Sequence, residues 1–171
     1  MVRHTVCVVT GSRAEFGLLR PLIEKLANHD AIDLRLVVTG SHLSSSFGGT
    51  QSEITDSGFS IHKKVPLPMG GDSKRDMVQA TGYGMSVFAD YFSENRPDLL
   101  IVLGDRYEIF AVAAAAALLG IPIAHICGGE VTEGAVDEFL RHSITKMSFL
   151  HFTECEVYRQ RVIQLGEDPE R

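Results

Sequence analysis

The sequence predicts an α/β protein whose parallel sheet of about six strands is doubly wound, with helices on both faces. Three observations indicate this fold class. Short runs rich in Val, Ile and Leu alternate with longer segments in which apolar residues recur at helical spacing. Most of these runs end at glycine or at polar residues, as buried parallel strands do. The chain has 44% hydrophobic and 22% charged residues and no repeat or linker, which predicts one domain over residues 1–171.

The first β-loop-α unit occupies the beginning of the chain. Residues 4–10 (HTVCVVT) are an apolar run that ends at Gly11, which predicts a buried strand. A helix is predicted over 17–29, and a second strand over 32–39 ends at Gly40. The predicted apolar face of the helix consists of Leu18, Leu19, Leu22, Ile23 and Leu26.

The middle of the chain continues the alternation. The predicted elements are a short helix over 50–57, a strand over 60–65, a loop over 66–72 and a helix over 73–95. Gly58 closes the short helix, and Ser73 is the expected N-cap of the long one. Gly82 and Gly84 lower the helix propensity at the centre of the long helix.

The last third of the chain repeats the pattern after Pro97. Strands are predicted over 98–103, 121–127 and 149–153, helices over 105–119, 135–147 and 154–164, and a loop over 128–134. Gly120 is the expected cap of the first of these helices. The apolar side of the second is predicted to hold Val136, Phe139, Leu140, Ile144 and Met147.

Charge and composition exclude several classes of function. The net charge of −6 argues against a nucleic-acid partner, because phosphate binding needs a basic surface. No apolar stretch reaches the roughly 18 residues of a membrane span. The first residues lack the pattern of a signal peptide, so a cytoplasmic location is expected. The three irregularly spaced cysteines, Cys7, Cys127 and Cys155, are expected to be buried free thiols.

The first candidate site is the loop after the first strand. It has neither the G-x-G-x-x-G pattern of a dinucleotide site nor the lysine of a P-loop, which argues against NAD and against ATP hydrolysis. Gly11 and Ser12 could present backbone amides at a helix N-terminus, and Arg13 could bind a phosphate with two hydrogen bonds. The alternative is a turn in which Arg13 and Glu15 are merely solvated.

The second candidate site follows the strand over 98–103, where the chain continues Gly-Asp-Arg-Tyr-Glu. In open α/β sheets, ligands bind beyond the carboxyl ends of the strands, so Asp105 and Arg106 are expected at a site. Asp105 could equally be the N-cap of the next helix, and the two roles are compatible. A carboxylate at a helix N-terminus is favoured in its charged form.

The third candidate site follows the strand over 121–127. Two glycines and Glu130 come directly after it, which suggests a backbone that a ligand approaches closely. Asp137 and Arg141 are four residues apart on the next helix, so they are expected to form an ion pair on one face. His125 is predicted to be a hydrogen-bonded core histidine in preference to a catalytic one.

These junctions are expected to converge on one edge of the sheet, which would gather three carboxylates and three arginines. The set is Asp105, Glu130 and Asp137 with Arg13, Arg106 and Arg141. It suits general acid and base catalysis on a substrate with an anionic leaving group. The spacing of His, Cys, Asp and Glu indicates no metal site, and no serine lies in a G-x-S-x-G pattern.

Six segments carry a resemblance to a known family. VTGSRAEFGLLRPLI, VTGSH, VLGDRYEIFAVAAAA, HICGGE, DEFLRHSITKMSFLHF and RVIQLGE resemble the N-terminal half of the hydrolysing UDP-N-acetylglucosamine 2-epimerases, particularly the bacterial sialic-acid-pathway type. The resemblance implies a glycosyltransferase-B-like fold of two Rossmann-like lobes with the active site between them. This chain would be the first lobe, and a second lobe that holds most of the UDP would lie outside it.

The resemblance also implies a reaction. UDP is eliminated across C1 and C2 of the sugar, and water then adds to the glycal and releases N-acetylmannosamine. Because the C2 proton is only weakly acidic, C1–O cleavage should lead, with one carboxylate stabilising positive charge and another removing the proton. The pyrophosphate leaving group requires arginines, so no cofactor and no metal are expected.

Matching the motifs assigns roles to individual residues. Asp105 corresponds to the catalytic aspartate of the GD block, Asp137 to the acid at the start of the Arg141 helix, and Arg13 to the first-loop arginine that faces the nucleotide sugar. Some relatives have a glutamate where this chain has Cys127. We therefore expect Glu130 to be the third acid, with Glu133 and Glu138 as lesser candidates.

Alternatives remain open at this point. The same chemistry could act on a UDP-diacetamido-trideoxy sugar of a legionaminic acid pathway, since no residue identifies the contacts at C4 and C6. A stand-alone nucleotide-sugar-binding module without turnover is the alternative from another class. A single lobe is not expected to release UDP, because half of the cleft would be missing. The resemblance also implies a homodimer for the full-length protein.

Overall fold

The computed structural model describes residues 2–45, 48–68, 71 and 73–171. Six strands lie within these residues: β1 (His4–Thr10), β2 (Ile32–Thr39), β3 (Lys63–Val65), β4 (Leu99–Leu103), β5 (Ile123–Ile126) and β6 (Leu150–Phe152). The helices are α1 (Arg13–Ala27), α2 (Gln51–Asp56), α3 (Lys74–Glu94), α4 (Tyr107–Leu118), α5 (Val136–Met147) and α6 (Glu156–Gln164), with a 3₁₀ turn over Gly40–Leu43. No helix in this described part of the chain is long and apolar enough to cross a membrane.

The strands form one sheet in the order β3-β2-β1-β4-β5-β6, and every neighbouring pair is parallel. This confirms the predicted doubly wound sheet. The chain order reverses between β1 and β4, which pair directly. A crevice opens at such a reversal, beyond the carboxyl ends of the two strands. The loops after β1 and β4 therefore face each other at the position where open sheets bind ligands.

Apolar side chains pack on both faces of the sheet. Strand β4 shows the division, because Leu100 and Val102 belong to the core under α3, α4 and α5, whereas Ile101 and Leu103 belong to the core under α1 and α2. Successive side chains of a strand point to opposite faces, so a strand buried on both faces is apolar throughout. Helices therefore pack on both faces of the sheet, and this packing positions the carboxyl edge.

The caps at the starts of α1 and α3 set where these helices begin. Helix α1 begins at Arg13 instead of 17, because Ser12 caps it by accepting a hydrogen bond from the Glu15 amide. The predicted face was wrong at Leu18, which is 65% exposed, while Phe16 is buried. The predicted Ser73 cap of α3 is confirmed by a capping box with Asp76. Of the predicted loop 66–72, residues 69, 70 and 72 lie outside the described residues.

The alternative role of Asp105 as the N-cap of α4 is not observed. The helix begins at Tyr107, and Arg106 occupies the N-cap position with an extended backbone. The Asp105 carboxylate instead accepts a hydrogen bond from Arg141 of α5. The apolar face predicted for α5 was also wrong at Phe139, which is 61% exposed, because the charged Arg141 takes a buried place on this helix.

The three cysteines are free thiols, as predicted, but they are not all buried. Cys7 lies in the core, Cys127 is half-buried and Cys155 is exposed. Burial raises the pKa of Cys7 to about 12. The two other thiols follow β5 and β6 at the carboxyl edge, which is where the chemistry-bearing residues gather.

Candidate active site

The site lies where four strands deliver polar side chains to one edge of the sheet. Parallel strands share the orientation of their ends, so the residues that follow β1, β4, β5 and β6 are neighbours. These residues include Ser12 after β1, Asp105 and Arg106 after β4, Glu130 after β5 and Glu154 after β6. The predicted convergence of these junctions is confirmed for most of the residues, but not for all of them.

Arg141 is the centre of the larger cluster. Its side chain is only 3% exposed, although it carries a full charge. Nη2 donates to Asp105 Oδ2 and, at 2.8 Å, to the Thr132 hydroxyl. Nη1 donates to the Glu130 carbonyl at 2.9 Å and to Glu138 Oε2 at 3.1 Å. One guanidinium therefore ties the β4 junction, the loop after β5 and the start of α5 into a single unit.

The ion pair expected between Asp137 and Arg141 does not form. Arg141 pairs with Glu138, three residues before it, and Asp137 has no salt bridge among the described residues. The reason is that the Arg141 side chain extends from α5 to the loop after β5, where it donates to the Thr132 hydroxyl. Glu138 also accepts from the Thr132 amide at 2.6 Å, and this hydrogen bond lowers the pKa of Glu138 below its ordinary value.

Glu130 lies close to two other carboxylates, those of Asp105 and Glu154. Partial burial raises the pKa of Glu130 above its ordinary value, and the negative charge of Glu154 raises it further, while Arg141 opposes the shift. The thiol of Cys127 donates to Glu154 Oε1 at 3.7 Å. Burial, followed by the charges of Glu130 and Glu154, raises the pKa of Cys127 to about 12, so the thiol keeps its proton.

Ligand atoms of Cys127, Glu130 and Glu154 all lie within 4.8 Å of one another, a grouping that sequence spacing did not indicate. Exposed acidic groups of this kind are common without an ion, and Glu154 is exposed. The geometry by itself therefore assigns no metal to the group. The effect of this grouping is electrostatic, because two carboxylates and a protonated thiol lie close together near Asp105.

His125 forms a hydrogen bond with Gly104, the first residue after β4. The ring is fully buried, with Nε2 at 2.7 Å from the Gly104 carbonyl and Nδ1 at 3.2 Å from the Thr145 hydroxyl. Burial lowers the pKa of His125 to about 4, so the ring is neutral. A carbonyl can only accept, and Nε2 therefore carries the proton. The prediction of a hydrogen-bonded core histidine is confirmed, and its contact holds the residue immediately before Asp105.

The first loop differs from the sequence prediction. The Gly11 amide does not face the cleft, because it donates to Glu15 Oε2 at 2.7 Å, and Glu15 is buried instead of solvated. Arg13 is 73% exposed and pairs with Glu53 of α2 at 3.0 Å. The loop packs closely on the 3₁₀ turn: a Cβ on Gly40 would lie 2.7 Å from the Gly11 carbonyl oxygen, and Gly40 has a positive φ of 57°.

The two glycines after β5 have a structural explanation. A Cβ on Gly129 would lie 2.2 Å from the Tyr158 carbonyl oxygen of α6, and one on Gly128 would lie 3.1 Å from the Thr145 hydroxyl. The close approach that we expected from a ligand is thus made by neighbouring helices. These contacts set the course of the loop that delivers Glu130.

Sequence reasoning missed three acids of this edge. Glu154 directly follows β6, so the rule applied to the other strand ends could have found it. Glu108 belongs to the Gly-Asp-Arg-Tyr-Glu segment after β4 but was given no role, and Glu15 was weighed only as a solvated residue of the first loop. Both lie in the first turns of helices and meet across the β1–β4 boundary. The structure brings Asp105, Glu130 and Arg141 together, places Arg106 beside Glu15 and Glu108, and leaves Arg13 and Asp137 outside both clusters.

We expect Glu154→Gln to lower the pKa of Glu130, because the substitution removes a negative charge that raises it. Carbon-13 NMR titration of the glutamate carboxyl groups would measure the shift. Glu156→Gln is the matched control, since Glu156 lies two residues away and pairs with Arg159 on the surface. Equal titration of Glu130 in both variants would contradict the coupling.

Comparisons with known proteins show the family to which the chain is related. A family model described as UDP-N-acetylglucosamine 2-epimerase matches residues 24–171. The chain is 43% identical over 171 residues to the GDP/UDP-N,N'-diacetylbacillosamine 2-epimerase (hydrolyzing) of Campylobacter jejuni, covering all of this chain and 44% of that protein. It is 47% identical over 164 residues to the polysialic acid biosynthesis protein P7 of Escherichia coli, covering 96% of this chain and 42% of P7.

A solved structure shows the same fold. The crystal structure of UDP-GlcNAc 2-epimerase from Neisseria meningitidis bound to UDP-GlcNAc matches with a TM-score of 0.86 at 22% identity, covering 97% of this chain and 44% of that chain. This likeness confirms the predicted fold class, a doubly wound sheet like one lobe of a glycosyltransferase-B-like protein. The chain spans less than half the length of the relatives and structures that it matches.

Proposed function

The chain belongs to the UDP-N-acetylglucosamine 2-epimerase family, and we propose that it forms the Asp105 side of a cleft in which a UDP-sugar is epimerised at C2 and hydrolysed. The observation that carries the proposal is the Arg141 cluster. It holds Asp105 and Glu130 at the carboxyl edge of the sheet, because Nη2 of one buried guanidinium donates to the Asp105 carboxylate and Nη1 donates to the main-chain carbonyl of Glu130. A second lobe would supply the opposite wall, so the 171 residues alone are expected not to release UDP.

The first half of the proposed reaction breaks the C1–O bond and removes the C2 proton. Electrons of the C1–O bond leave with UDP, and electrons of the C2–H bond form the C1=C2 double bond of the glycal. Asp105, which accepts a hydrogen bond from Arg141, stabilises positive charge at the sugar ring. Glu130 takes the C2 proton, because its raised pKa favours proton acceptance.

The second half adds water to the glycal. The hydroxyl group of the water adds to C1. A proton adds to C2 on the face opposite to the face from which the first proton was removed, and this inverts the configuration at C2. Acids on both faces of the sugar are therefore required. Asp137 is assigned to the second face by its motif, and this assignment stays a prediction because Asp137 contacts neither cluster. Arg106, with a side chain that is 43% exposed, is assigned to the departing diphosphate.

The leading substrate is UDP-N-acetylglucosamine, which would give N-acetylmannosamine and UDP as in a sialic-acid pathway. The polysialic acid biosynthesis protein P7 supports this choice at 47% identity. A second candidate, a UDP-diacetamido-trideoxy sugar, is supported by the 43% identical relative named for diacetylbacillosamine. No residue described above distinguishes the C4 and C6 groups of these two sugars.

The test is an assay of the full-length protein with each nucleotide sugar in turn. We expect UDP release together with a free 2-epimerised sugar, identified by proton NMR, and a higher kcat/KM for UDP-N-acetylglucosamine. Preference for the diacetamido sugar would select the second candidate. Tight binding of both nucleotide sugars without UDP release would contradict catalysis and favour a binding module.

We also propose that the full-length protein is a homodimer, joined through an apolar groove between α3, α4 and α5. The groove has a volume of about 370 Å³ and is lined by Met77, Val78, Met85, Phe110 and Phe139. Val78 is 70% exposed and Phe139 is 61% exposed. Exposed apolar patches of this kind mark interaction surfaces. The groove flanks the start of α5, so a second copy would also support the helix that carries Arg141.

Phe139→Glu is expected to convert the dimer into monomers, because it places a charge in the apolar groove. Analytical ultracentrifugation would measure the change. Leu118→Glu is the matched control, since Leu118 is 81% exposed and is not among the residues of the groove. A monomeric wild-type protein, or a dimer that survives Phe139→Glu, would contradict the proposal. The expected cytoplasmic location and the absence of a nucleic-acid partner stay predictions.

A further inference from the structure

A second acidic cluster lies at the reversal of strand order, and the proposed reaction does not use its acids. Glu15 follows β1 and Glu108 follows β4, and their side chains are 6% and 0% exposed. Both face the guanidinium of Arg106. Its Nε donates to Glu108 Oε1 at 2.6 Å and lies 3.9 Å from Glu15 Oε1. Two buried carboxyl groups thus share one cation.

The remaining contacts of this cluster connect it with the first loop. Glu15 Oε2 accepts from the Gly11 amide at 2.7 Å, and Glu15 Oε1 lies 3.1 Å from the Ser12 hydroxyl. A Cβ on Gly11 would lie 3.0 Å from Glu108 Cγ and 3.5 Å from Glu15 Oε2, so both carboxyl groups pack against the same backbone atom. Glu108 Oε2 is buried and has no hydrogen-bond partner within the described part of the chain.

One cation cannot compensate two buried carboxylates, so one of the acids is expected to hold a proton. Burial raises the pKa of Glu15 to about 7; the Gly11 amide opposes this shift, and the charge of Glu108 adds to it. While Glu15 holds its proton, Arg106 keeps its short contact with Glu108 Oε1 at 2.6 Å. When the proton is lost, Glu15 becomes a second carboxylate that competes for the guanidinium.

Other titratable groups around the cluster do not supply the missing charge. Arg13 pairs with Glu53 on the exposed side of the loop. His42 of the 3₁₀ turn is buried, and burial lowers its pKa, so it is neutral. Tyr107 lies next to Arg106 on α4. Arg106 is therefore the cation that balances both Glu15 and Glu108.

We propose that Glu15 holds a proton at the reversal of strand order, and that Glu15 and Glu108 are positioning residues for Arg106, holding its guanidinium at the cleft so that it binds the diphosphate of the substrate. This inference rests on the proposed function of Arg106. When Glu15 loses its proton, the cluster gains a negative charge and Arg106 is drawn from Glu108 towards Glu15. Affinity for a diphosphate therefore falls as the pH rises through about 7.

The test measures the Kd of UDP by calorimetry between pH 6 and pH 9 in the full-length protein and in Glu15→Gln. UDP itself titrates near pH 6, so the readout is the ratio of the wild-type Kd to the Kd of the variant. We expect a ratio near one at pH 6 that rises to about fivefold at pH 9, which is the effect of one added charge at a partly exposed site. Glu24→Gln, an exposed change on the same helix, should give a ratio of one throughout.

Glu108→Gln tests whether the two acids are coupled. It leaves one carboxyl group for one guanidinium and removes a charge that raises the pKa of Glu15, so the pH dependence should weaken and move to lower pH. A pH dependence identical to that of the wild type in Glu108→Gln would overturn the coupling of the two acids. A constant ratio for Glu15→Gln would overturn the positioning role.

Thermal stability separates this inference from the proposed function, because it needs no ligand. The folded-state pKa of Glu15 is raised, so its ionisation costs stability as the pH rises from about 4.5 to about 7. Glu15→Gln should therefore raise Tm relative to the wild type above pH 7 and lose that advantage below about pH 4.5. If this Tm pattern appears but UDP does not bind, the proposed function fails and the buried acid pair stands. If the Tm difference is independent of pH, the acid pair itself is overturned.

Discussion

Asp105→Asn is expected to lower kcat of the full-length enzyme by about 10²- to 10⁴-fold, the range for loss of a positioned carboxyl group. The substitution keeps the size of the side chain and an oxygen that can accept from Arg141. It removes only the negative charge that stabilises the sugar ring during C1–O cleavage. Steady-state UDP release would measure the effect, and circular dichroism would verify the fold.

Asp90→Asn is the matched control for this prediction, because Asp90 is an exposed aspartate of α3 and contacts neither acidic cluster. It should retain wild-type turnover. An Asp105→Asn enzyme with near-normal kcat would remove Asp105 from the mechanism. The cleft would then depend on Glu130 and Asp137 alone.

Arg141→Ala is expected to lower the free energy of unfolding by about 2–4 kcal/mol, near the range for breaking a buried ion pair. The guanidinium binds four partners, and its loss leaves Asp105 and Glu138 without their cation. The upper end of that range is not expected, because these two carboxylates are 21% and 28% exposed and can be hydrated. Urea denaturation would measure the change.

Two further variants sharpen this prediction. Arg141→Lys keeps the charge but not the planar set of donors, so an intermediate loss is expected. Arg159→Ala removes a surface arginine whose partner Glu156 is 67% exposed, and it should change stability by less than about 1 kcal/mol. If Arg141→Ala costs no more than Arg159→Ala, Arg141 does not hold the site together.

Apolar patterning predicted the sheet better than the helices. Strands β1 and β2 lie at the predicted residues, because each ends in a run of apolar residues that is closed by a threonine and a glycine. The start of α1 was placed too late, since its first turn is polar and is held by the Ser12 cap. Phe139 was placed on the wrong side of α5, because periodicity does not predict that a charged residue such as Arg141 is buried.

The rule that ligands bind beyond the carboxyl ends of parallel strands identified the main acids of the site but not their partners. Asp105 and Glu130 follow apolar strands directly, so their position at the edge was predictable. The contact between Asp105 and Arg141 joins residues 36 positions apart and depends on how α5 packs over the β5 loop. Glu15 and Glu108 meet because β1 and β4 are neighbours, and the predicted doubly wound sheet indicates a shared edge but not which side chains meet across it.

The central claim, that carboxylates at this edge exchange the C2 proton of a UDP-sugar, is tested most directly by isotope incorporation. The full-length enzyme would be incubated with UDP-N-acetylglucosamine in D₂O, and the released sugar analysed by proton NMR and mass spectrometry. We expect UDP and N-acetylmannosamine that carries one deuterium at C2. Release of UDP with a sugar that keeps its original hydrogen and configuration at C2 would show simple hydrolysis and contradict the claim.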